Sequence, residues 1–282
     1  MPTGDPPAPT RTELVRYLVH TGIAGQVDTP RESNLRSYRK LAEGIPYYQF
    51  GLTFRRAWSP REILALMSKN CGVIADEHYL RGMDTIDPDR TADGLEAVAD
   101  RLAVAARRRE RVLFATGHPA NLLHTYRRWR SVAVAAGANA ITPALGATYE
   151  VRSDRGRLRR VVEWQHGVGY VSDGSAPIHS HHPDGMHAMI AACGEERPDL
   201  VVADHAFAGA AAEAGIEVVC IADCNDPALF VAAAEDKVHT CVPLDDGYDT
   251  ERYAPLASYV ADRLTDAVGA GGATSASGAV GI

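Results

Sequence analysis

From residue 111 onward, short apolar runs alternate with helix-like stretches, and this alternation constrains the fold more than any other feature. The runs are four or five residues long and lie at 112–116, 200–203, 218–222 and 240–244. Such runs are typical of strands that are buried on both faces of a parallel sheet. A further strand is predicted at 139–145. Strands that alternate with helices at short spacing predict an α/β fold, a Rossmann-like, mostly parallel sheet flanked by helices.

The first 110 residues predict helices. In three places a threonine or serine precedes a glutamate by three positions, which is the pattern of a capping box at a helix start. These hydroxyl residues are Thr10, Thr29 and Ser59. Proline directly follows the last two, and proline is favoured at the first position of a helix. These residues therefore predict a helical N-terminal segment.

Two further segments interrupt the alternation. Residues 150–172 alternate in polarity around Asp154-Arg155-Gly156, which predicts an antiparallel β-hairpin. The tail from Gly269 is rich in glycine, alanine and serine, a composition typical of disorder. The predicted organisation is a helical N-terminal segment or cap at 1–110, a Rossmann-like catalytic core at 111–268 with the hairpin inserted at about 147–174, and a disordered tail at 269–282.

Composition excludes several classes of protein. Of the 282 residues, 46% are hydrophobic and 23% are charged, which is typical of a globular chain. The formal net charge is −7, and no apolar stretch approaches the roughly 18 residues of a membrane span. The polar, proline-rich N-terminus does not have the pattern of a secretory signal, and five widely spaced cysteines predict no disulfide framework. We therefore expect a cytoplasmic protein that binds neither nucleic acid nor a membrane.

An acid or a histidine follows each apolar run of the core. Because ligands of an open parallel sheet bind at the carboxyl ends of its strands, we expect these side chains to meet at one edge. They are His118, Asp204, His205, Asp223, Asn225, Asp226, Asp245 and Asp246. The alternative is that single acids cap helices, and Asp226, which precedes Pro227, is in the position of such a cap. The recurrence at four strand ends favours an active site.

A histidine-rich loop between Ser172 and His187 adds candidate metal ligands. His179 and His181 are two residues apart, so they point to the same side of an extended segment. Neutral imidazoles bind Zn²⁺, Mn²⁺ or Fe²⁺, and carboxylates extend the choice to Mg²⁺. The alternative is an exposed loop without such a role. Together with the strand-end acids, the loop predicts a divalent-metal site.

The first strand end also predicts an anion site. Gly117-His118-Pro119 follows the strand and begins a helix, where free N–H groups and a glycine favour a bound phosphate. The sequence lacks GxxxxGK, a GxGxxG after a strand, and GxSxG, so nucleotide-binding loops and a serine nucleophile are not indicated. Metal ligands beside an anion site indicate metal-assisted attack of water on a phosphoryl group.

Several sequence blocks resemble an actinobacterial family that is called simply phosphatase. The blocks are FATGHP at 114–119, VVADHAFAGAA at 201–211, ADCNDPALF at 222–230 and VPLDD at 242–246. The resemblance extends from about residue 12 to residue 259. It implies hydrolysis of phosphoric monoesters, without fixing the substrate or the metal.

We therefore predict a divalent-metal-dependent phosphatase that hydrolyses a small phosphorylated metabolite; a homo-oligomer is compatible with this prediction. The predicted ligands of Mg²⁺, Mn²⁺ or Zn²⁺ are Asp204, Asp223, Asn225, His179 and His181. The predicted catalytic residues are His118, His205 and Asp226. The predicted substrate contacts are Gly117, Arg31, Asn34, Asp84, Arg90 and Asp245.

Two other functions stay open from the sequence. The strand-end acids could contact the hydroxyl groups of a bound nucleotide or sugar phosphate that is not hydrolysed. Alternatively, the histidine-rich loop could form the zinc site of a metallohydrolase or isomerase with another type of substrate.

Overall fold

Helices and short strands alternate along the chain in the computed structural model, which describes residues 8–153 and 156–275. The helices are α1 (Arg11–Thr21), α2 (Arg31–Ala42), α3 (Pro46–Gln49), α4 (Pro60–Asn70), α5 (Pro88–Arg108), α6 (Pro119–Ala135), α7 (Asp184–Ala192), α8 (His205–Glu213), α9 (Pro227–Ala234) and α10 (Ala254–Ser275), with a 3-10 helix at Thr250–Tyr253. The strands are β1 (Gly25–Pro30), β2 (Met83–Ile86), β3 (Arg111–Phe114), β4 (Asn139–Ala140), β5 (Thr148–Ser153), β6 (Gly156–Gln165), β7 (Val168–Ser172), β8 (Leu200–Asp204), β9 (Glu217–Ala222) and β10 (Thr240–Pro243).

Five parallel strands form the central sheet, in the order β10-β9-β8-β3-β4. Every residue of β8 is buried, as expected for a strand that is covered on both faces. α5, α6 and α10 pack on one another, and α8 packs on both α7 and α9. The predicted α/β class, with a mostly parallel sheet flanked by helices, is therefore confirmed. Among the described helices, none combines the length and the apolar character needed to cross a lipid bilayer.

The strand order reverses between β3 and β8. From β3 the chain moves to β4 on one side, and it later returns to β8, β9 and β10 on the other side. Crossovers in opposite directions place their helices on opposite faces, which leaves a crevice at the carboxyl ends of the two strands where the order changes. The chain positions His118 and Asp204 at these two strand ends.

The inserted hairpin is part of a three-stranded antiparallel sheet, β5-β6-β7. Strands β5 and β6 pair as predicted, and the predicted turn residues Asp154 and Arg155 lie outside the described residues. The chain turns back again at His166 and Gly167, which both have positive φ, and β7 then pairs antiparallel with β6. The amide of Thr116 donates to the carbonyl of Gly169 in β7, at 2.8 Å. This bond joins the inserted sheet to the end of β3, beside His118.

The N-terminal segment consists of helices joined by loops, together with β1 and β2, which pair with each other and which the sequence analysis missed. The capping boxes at Thr10 and Ser59 are confirmed. The predicted cap at Thr29 is wrong: α2 begins at Arg31 without a side-chain cap, and Thr29 lies in β1. Its hydroxyl donates to Asp223 at 2.8 Å, so a tertiary partner has replaced the local one.

Three predicted boundaries also differ from the structure. The strand predicted at 139–145 is limited to β4, and Pro143, which has no N–H for a strand ladder, lies just beyond it. The sequence after the strand predicts a helix from Phe207, but helix α8 begins at His205, directly after β8. Helix α10 continues through Gly269 to Ser275, and 276–282 of the predicted tail lie outside the described residues.

Gly209 allows α8 to pack closely against the segment that follows α3. A Cβ added at Gly209 would overlap the carbonyl oxygen of Phe50. Phe50 and Gly51 both have positive φ, so this segment turns sharply where it meets α8. The contact fixes the 46–51 segment beside His205, and therefore beside the sheet edge where the polar side chains gather.

We expect Gly209→Ala to destabilise the protein by about 1–3 kcal/mol, because backbone atoms must move to make room for the added methyl group. Urea unfolding monitored by circular dichroism measures this change. Gly269→Ala is the matched control, since Gly269 is also helical and has open space around it. That control should be neutral or stabilising by up to about 1 kcal/mol. Equal effects of the two substitutions would contradict the prediction.

Candidate active site

The strand ends converge at the crevice between β3 and β8. The amide of Gly117 donates to Asp204 Oδ1 at 2.8 Å, which joins the ends of β3 and β8. The amide of Ser180 donates to the carbonyl of Gly117 at 2.9 Å, which brings the histidine-rich loop to the same place. A Cβ at Gly117 would lie 2.7 Å from the carbonyl oxygen of Ser180. Glycine at this position therefore permits the strand ends and the loop to meet.

Four imidazoles gather at this point. His118 Nδ1 lies 2.9 Å from His205 Nδ1, and His179 Nε2 lies 2.9 Å from His181 Nε2. The rings of His118 and His179 have their centroids 3.8 Å apart. Two imidazole nitrogens at such a distance either share one proton or direct their lone pairs to a common cation. The predicted grouping of these four histidines is therefore present in the structure.

His205 connects the imidazoles to the carboxylates. Its Nδ1 lies 3.0 Å from Asp204 Oδ1, and its Nε2 lies 3.2 Å from Asp226 Oδ2 and 3.9 Å from Asp246 Oδ2. His205 begins α8 with a φ of 45°, a conformation that costs energy for a residue other than glycine. The strained backbone places the ring of this residue between three carboxylates.

The environment sets the protonation of the four imidazoles. Burial lowers the pKa of His118, of His179 and of His181, and the charge of His205 adds to this effect to a smaller extent. For His181 the pKa falls to about 3. Burial also opposes the charged form of His205, but Asp226, Asp204 and Asp246 outweigh this effect and raise its pKa. Three of the four rings are therefore neutral at pH 7, which is the form that binds metal ions.

Within the cluster, two buried carboxylate oxygens have no hydrogen-bond donor among the described residues. They are Asp204 Oδ2 and Asp246 Oδ2, on residues with 0% and 5% exposure. Burial raises the pKa of Asp246, which His205 partly offsets. A buried oxygen without a donor is costly unless a cation or a proton satisfies it. The orphaned oxygen of Asp246 lies 3.5 Å from His118 Nδ1, which places it inside the cluster.

Among the residues that the structure describes, two groups of side chains could hold a metal ion, and they share His205. The first is His118, His179 and His205, and the second is His205, Asp226 and Asp246; within each group the donor atoms lie within 4.8 Å of one another. Imidazole nitrogens with carboxylate oxygens are a usual donor set for Zn²⁺. The residues present therefore fit a divalent metal of this kind.

Asp226 is not a helix cap, despite its place before Pro227. Its side chain makes no capping hydrogen bond to α9, although the residue occupies the N-cap position. Burial alone would raise the pKa of Asp226, but His205 outweighs burial and lowers it. The carboxylate is therefore ionised and directed at His205.

Asp223 and Asn225 belong to neither group of candidate ligands. Asp223 Oδ2 accepts hydrogen bonds from Thr29 and Asn225 at 2.8 and 2.7 Å, and its Oδ1 accepts one from the Cys224 amide. Burial, with Asp245 and Asp226 nearby, raises the pKa of Asp223 to about 8. Burial also raises the pKa of the Cys224 thiol, which is fully enclosed. Cys224 is therefore not a reactive thiolate.

The model of the family described as Phosphatase matches residues 9–268. A protein of Streptomyces coelicolor that is named as a phosphatase is 41% identical over 267 residues, which cover 93% of this chain and 98% of that protein. The chain belongs to the phosphatase family. The resemblance of the strand-end blocks is thereby confirmed, and these blocks carry most of the clustered side chains of this phosphatase.

Asp246 and Tyr47 are candidate site residues that the sequence assignment did not include. The assignment chose Asp245, but it is the next carboxylate that turns toward the histidines, while Asp245 Oδ1 accepts a hydrogen bond from the Gly247 amide. The two adjacent aspartates in the sequence indicated that one of them could face the site. Only the conformation of the turn after β10 determines which one does. Tyr47 stacks on His181 with ring centroids 4.5 Å apart. Nothing in the local sequence around Tyr47 indicated this contact.

The predicted substrate contacts from the N-terminal segment lie behind the site. Arg31 and Asp84 form an ion pair of 2.9 Å in which both side chains are fully buried. Asn34 donates to Asp84 and to the sulfur of Cys224, so this network supports the loop that carries Asp226. Arg90 pairs with Asp87 on the surface, away from these residues. The structure brings none of the four into the histidine–aspartate cluster.

We expect Asp84→Asn to lower the free energy of unfolding by about 3–5 kcal/mol, because it leaves the buried guanidinium of Arg31 without a counter-ion. Urea unfolding gives the value. Arg90→Gln removes an exposed ion pair and should cost less than about 1 kcal/mol. A loss below about 1 kcal/mol for Asp84→Asn would show that the buried pair does not contribute as described.

Proposed function

We propose that the protein is a divalent-metal-dependent phosphatase that hydrolyses small phosphorylated metabolites. Membership of the phosphatase family supports the reaction class. The observation that carries the metal requirement is the orphaned carboxylate oxygen of Asp246, buried beside His118 and His205. A cation is the natural partner of such a buried oxygen, and the neutral imidazole of His118 beside it offers a second ligand atom.

The proposed metal-binding residues are those of the two groups that share His205: His118, His179, His205, Asp226 and Asp246. Asp204 accepts from the Gly117 amide and contacts His205 Nδ1, so it orients the ring instead of binding the metal. This assignment differs from the sequence-based one, in which the catalytic residues are His118, His205 and Asp226 and the ligands are Asp204, Asp223, Asn225, His179 and His181. Imidazole-rich donors favour Zn²⁺ over Mg²⁺.

A bound divalent cation would neutralise phosphoryl oxygens and lower the pKa of a water molecule. In the hydrolysis, the oxygen of water forms a bond to phosphorus while the bond from phosphorus to the organic oxygen breaks. We assign the proton transfer to His181, which belongs to neither group of candidate ligands. A neutral His181 accepts the proton of the water and passes it to the departing oxygen, so the protons balance.

Two small clefts beside the cluster support a small substrate. The first has a volume of about 170 Å³ and contains polar groups of Ser33, Arg36, Ser37, Asn225 and Asp226. The second has a volume of about 240 Å³ and borders His179 and the inserted sheet. Both are smaller than the roughly 300–1,000 Å³ of pockets for drug-sized ligands. Tyr47 and His181 line both clefts, so one substrate can extend into each.

Metal removal provides the first test. We expect a chelator to lower the melting temperature and to abolish phosphate release from p-nitrophenyl phosphate, and we expect Zn²⁺ to restore both better than Mg²⁺. A metal present at about a thousand times its Kd stabilises the folded state by about 4 kcal/mol. Calorimetry and a phosphate assay measure the two effects. An unchanged melting temperature with every metal would refute the metal site.

Substitution of the orphaned carboxylate provides the second test. We expect Asp246→Asn to weaken metal binding by at least about 10- to 100-fold and to reduce turnover accordingly, because the neutral amide cannot replace a charged donor. Asp249→Asn is the control, since Asp249 is exposed and lies in the same loop. Metal content after dialysis and steady-state kinetics measure the outcome. Wild-type metal content in Asp246→Asn would remove this residue from the site.

A further inference from the structure

The second cleft differs from the first in its lining. Its apolar walls are the side chains of Val151, Leu158 and Ile178, together with the ring of Tyr47. Its charged residues are Arg152 and Arg160, and no aspartate or glutamate is among the residues that line it. The first cleft instead has two serines and an amide, which suit phosphoryl oxygens, and its Arg36 is accompanied by the carboxylate of Asp226. The lining therefore separates a polar side for the reacting group from an apolar, positively charged side for the organic part.

Strand pairing places Arg160 on the same face of the inserted sheet as this apolar wall. Leu158 pairs with Val151, and Arg160 pairs with Tyr149, so these four side chains share one face of β5 and β6. Arg160 is half-buried, and one of its guanidinium nitrogens donates to the carbonyl of Arg159 at 3.0 Å. Among the described residues, no carboxylate lies within ion-pair distance of its guanidinium, although the charge of Arg160 helps to lower the pKa of the exposed Asp173.

Arg159, the preceding residue of β6, provides a natural comparison. It pairs with Glu150 in the register, on the opposite face of the sheet, and it is exposed. The two arginines therefore have the same charge and the same strand, but only Arg160 is among the residues that line the cleft.

We propose that the substrate carries a second anionic group, a phosphate or a carboxylate, on a short and partly apolar organic part, and that Arg160 binds this group. This inference rests on the proposed phosphatase function and specifies its substrate class. The reacting phosphoryl group lies at the histidine–aspartate cluster, the carbon atoms contact Val151, Leu158 and Tyr47, and the second anion meets the guanidinium. A guanidinium in a half-buried, apolar setting binds phosphate or carboxylate through charge-assisted hydrogen bonds.

Two matched pairs of substrates test the proposal. Glycerol phosphate and phosphoglycerate differ by one carboxylate, and glucose phosphate and glucose bisphosphate differ by one phosphate. We expect the wild-type, metal-loaded enzyme to prefer, in at least one pair, the substrate with the second anionic group. The expected preference is about tenfold or more in kcat/KM. The pair that shows the preference identifies the second anion. Equal kcat/KM values within both pairs would overturn the proposal.

Variants then assign the preference to Arg160. Arg160→Gln should abolish the preference, mainly by raising KM for the substrate that carries the second anionic group. Arg160→Lys should keep part of the preference because it keeps the charge, and Arg159→Gln should keep all of it. Melting temperatures confirm that each variant is folded. Equal losses in Arg160→Gln and Arg159→Gln, or an equal loss on singly and doubly anionic substrates, would overturn the role of Arg160.

A separate readout distinguishes failure of the inference from failure of the proposed function. Absence of turnover of p-nitrophenyl phosphate with Zn²⁺, Mn²⁺ and Mg²⁺ would refute the phosphatase function. In that case, the test of the anion site is the rise in melting temperature of the metal-loaded protein. The rise with phosphoglycerate is compared with the rise with glycerol phosphate. Stronger stabilisation by phosphoglycerate that Arg160→Gln removes would support the anion site, and equal stabilisation would refute it.

Discussion

The candidate site of this protein depends on the position of one imidazole. His205 begins α8 directly after β8, with its backbone in the left-handed region, so its ring turns back over the end of the sheet. Asp204 contacts one of its nitrogens, and Asp226 contacts the other. A residue in a relaxed helical conformation would direct its side chain elsewhere. The strained backbone of His205 therefore lets its ring contact both Asp204, at the end of β8, and Asp226, after β9.

The polar cluster around His205 is expensive to bury. Asp204 Oδ2 and Asp246 Oδ2 are buried without a hydrogen-bond donor among the described residues, so their lone pairs are unsatisfied. The surrounding core of apolar side chains holds the cluster together despite this cost. A cation that binds there would satisfy several lone pairs at once, so the same arrangement that is unfavourable for the protein alone is favourable for the metal complex.

The N-terminal segment supports the cluster from behind and also borders it. Thr29 bonds to Asp223, the hydroxyl of Tyr38 donates to the carbonyl of Cys224 at 2.8 Å, and Asn34 contacts the sulfur of the same cysteine. These contacts set the loop after β9. Tyr47, in the short helix that follows, stacks on His181 at the mouth of the site. The segment thus acts on both the geometry of the loop and the shape of the clefts.

The sequence by itself determined the parallel sheet, two capping boxes and the place of the site. Short buried strands need apolar residues along their length, and parallel pairing brings their carboxyl ends together, so the sequence pattern alone locates His118, Asp204, His205 and Asp226 at one edge. Only the tertiary structure decided between Asp245 and Asp246, moved Thr29 from a cap to a partner of Asp223, and placed Arg31 and Asp84 behind the site. Those outcomes depend on turns and on contacts between residues far apart in the chain, and local sequence patterns carry no information about either.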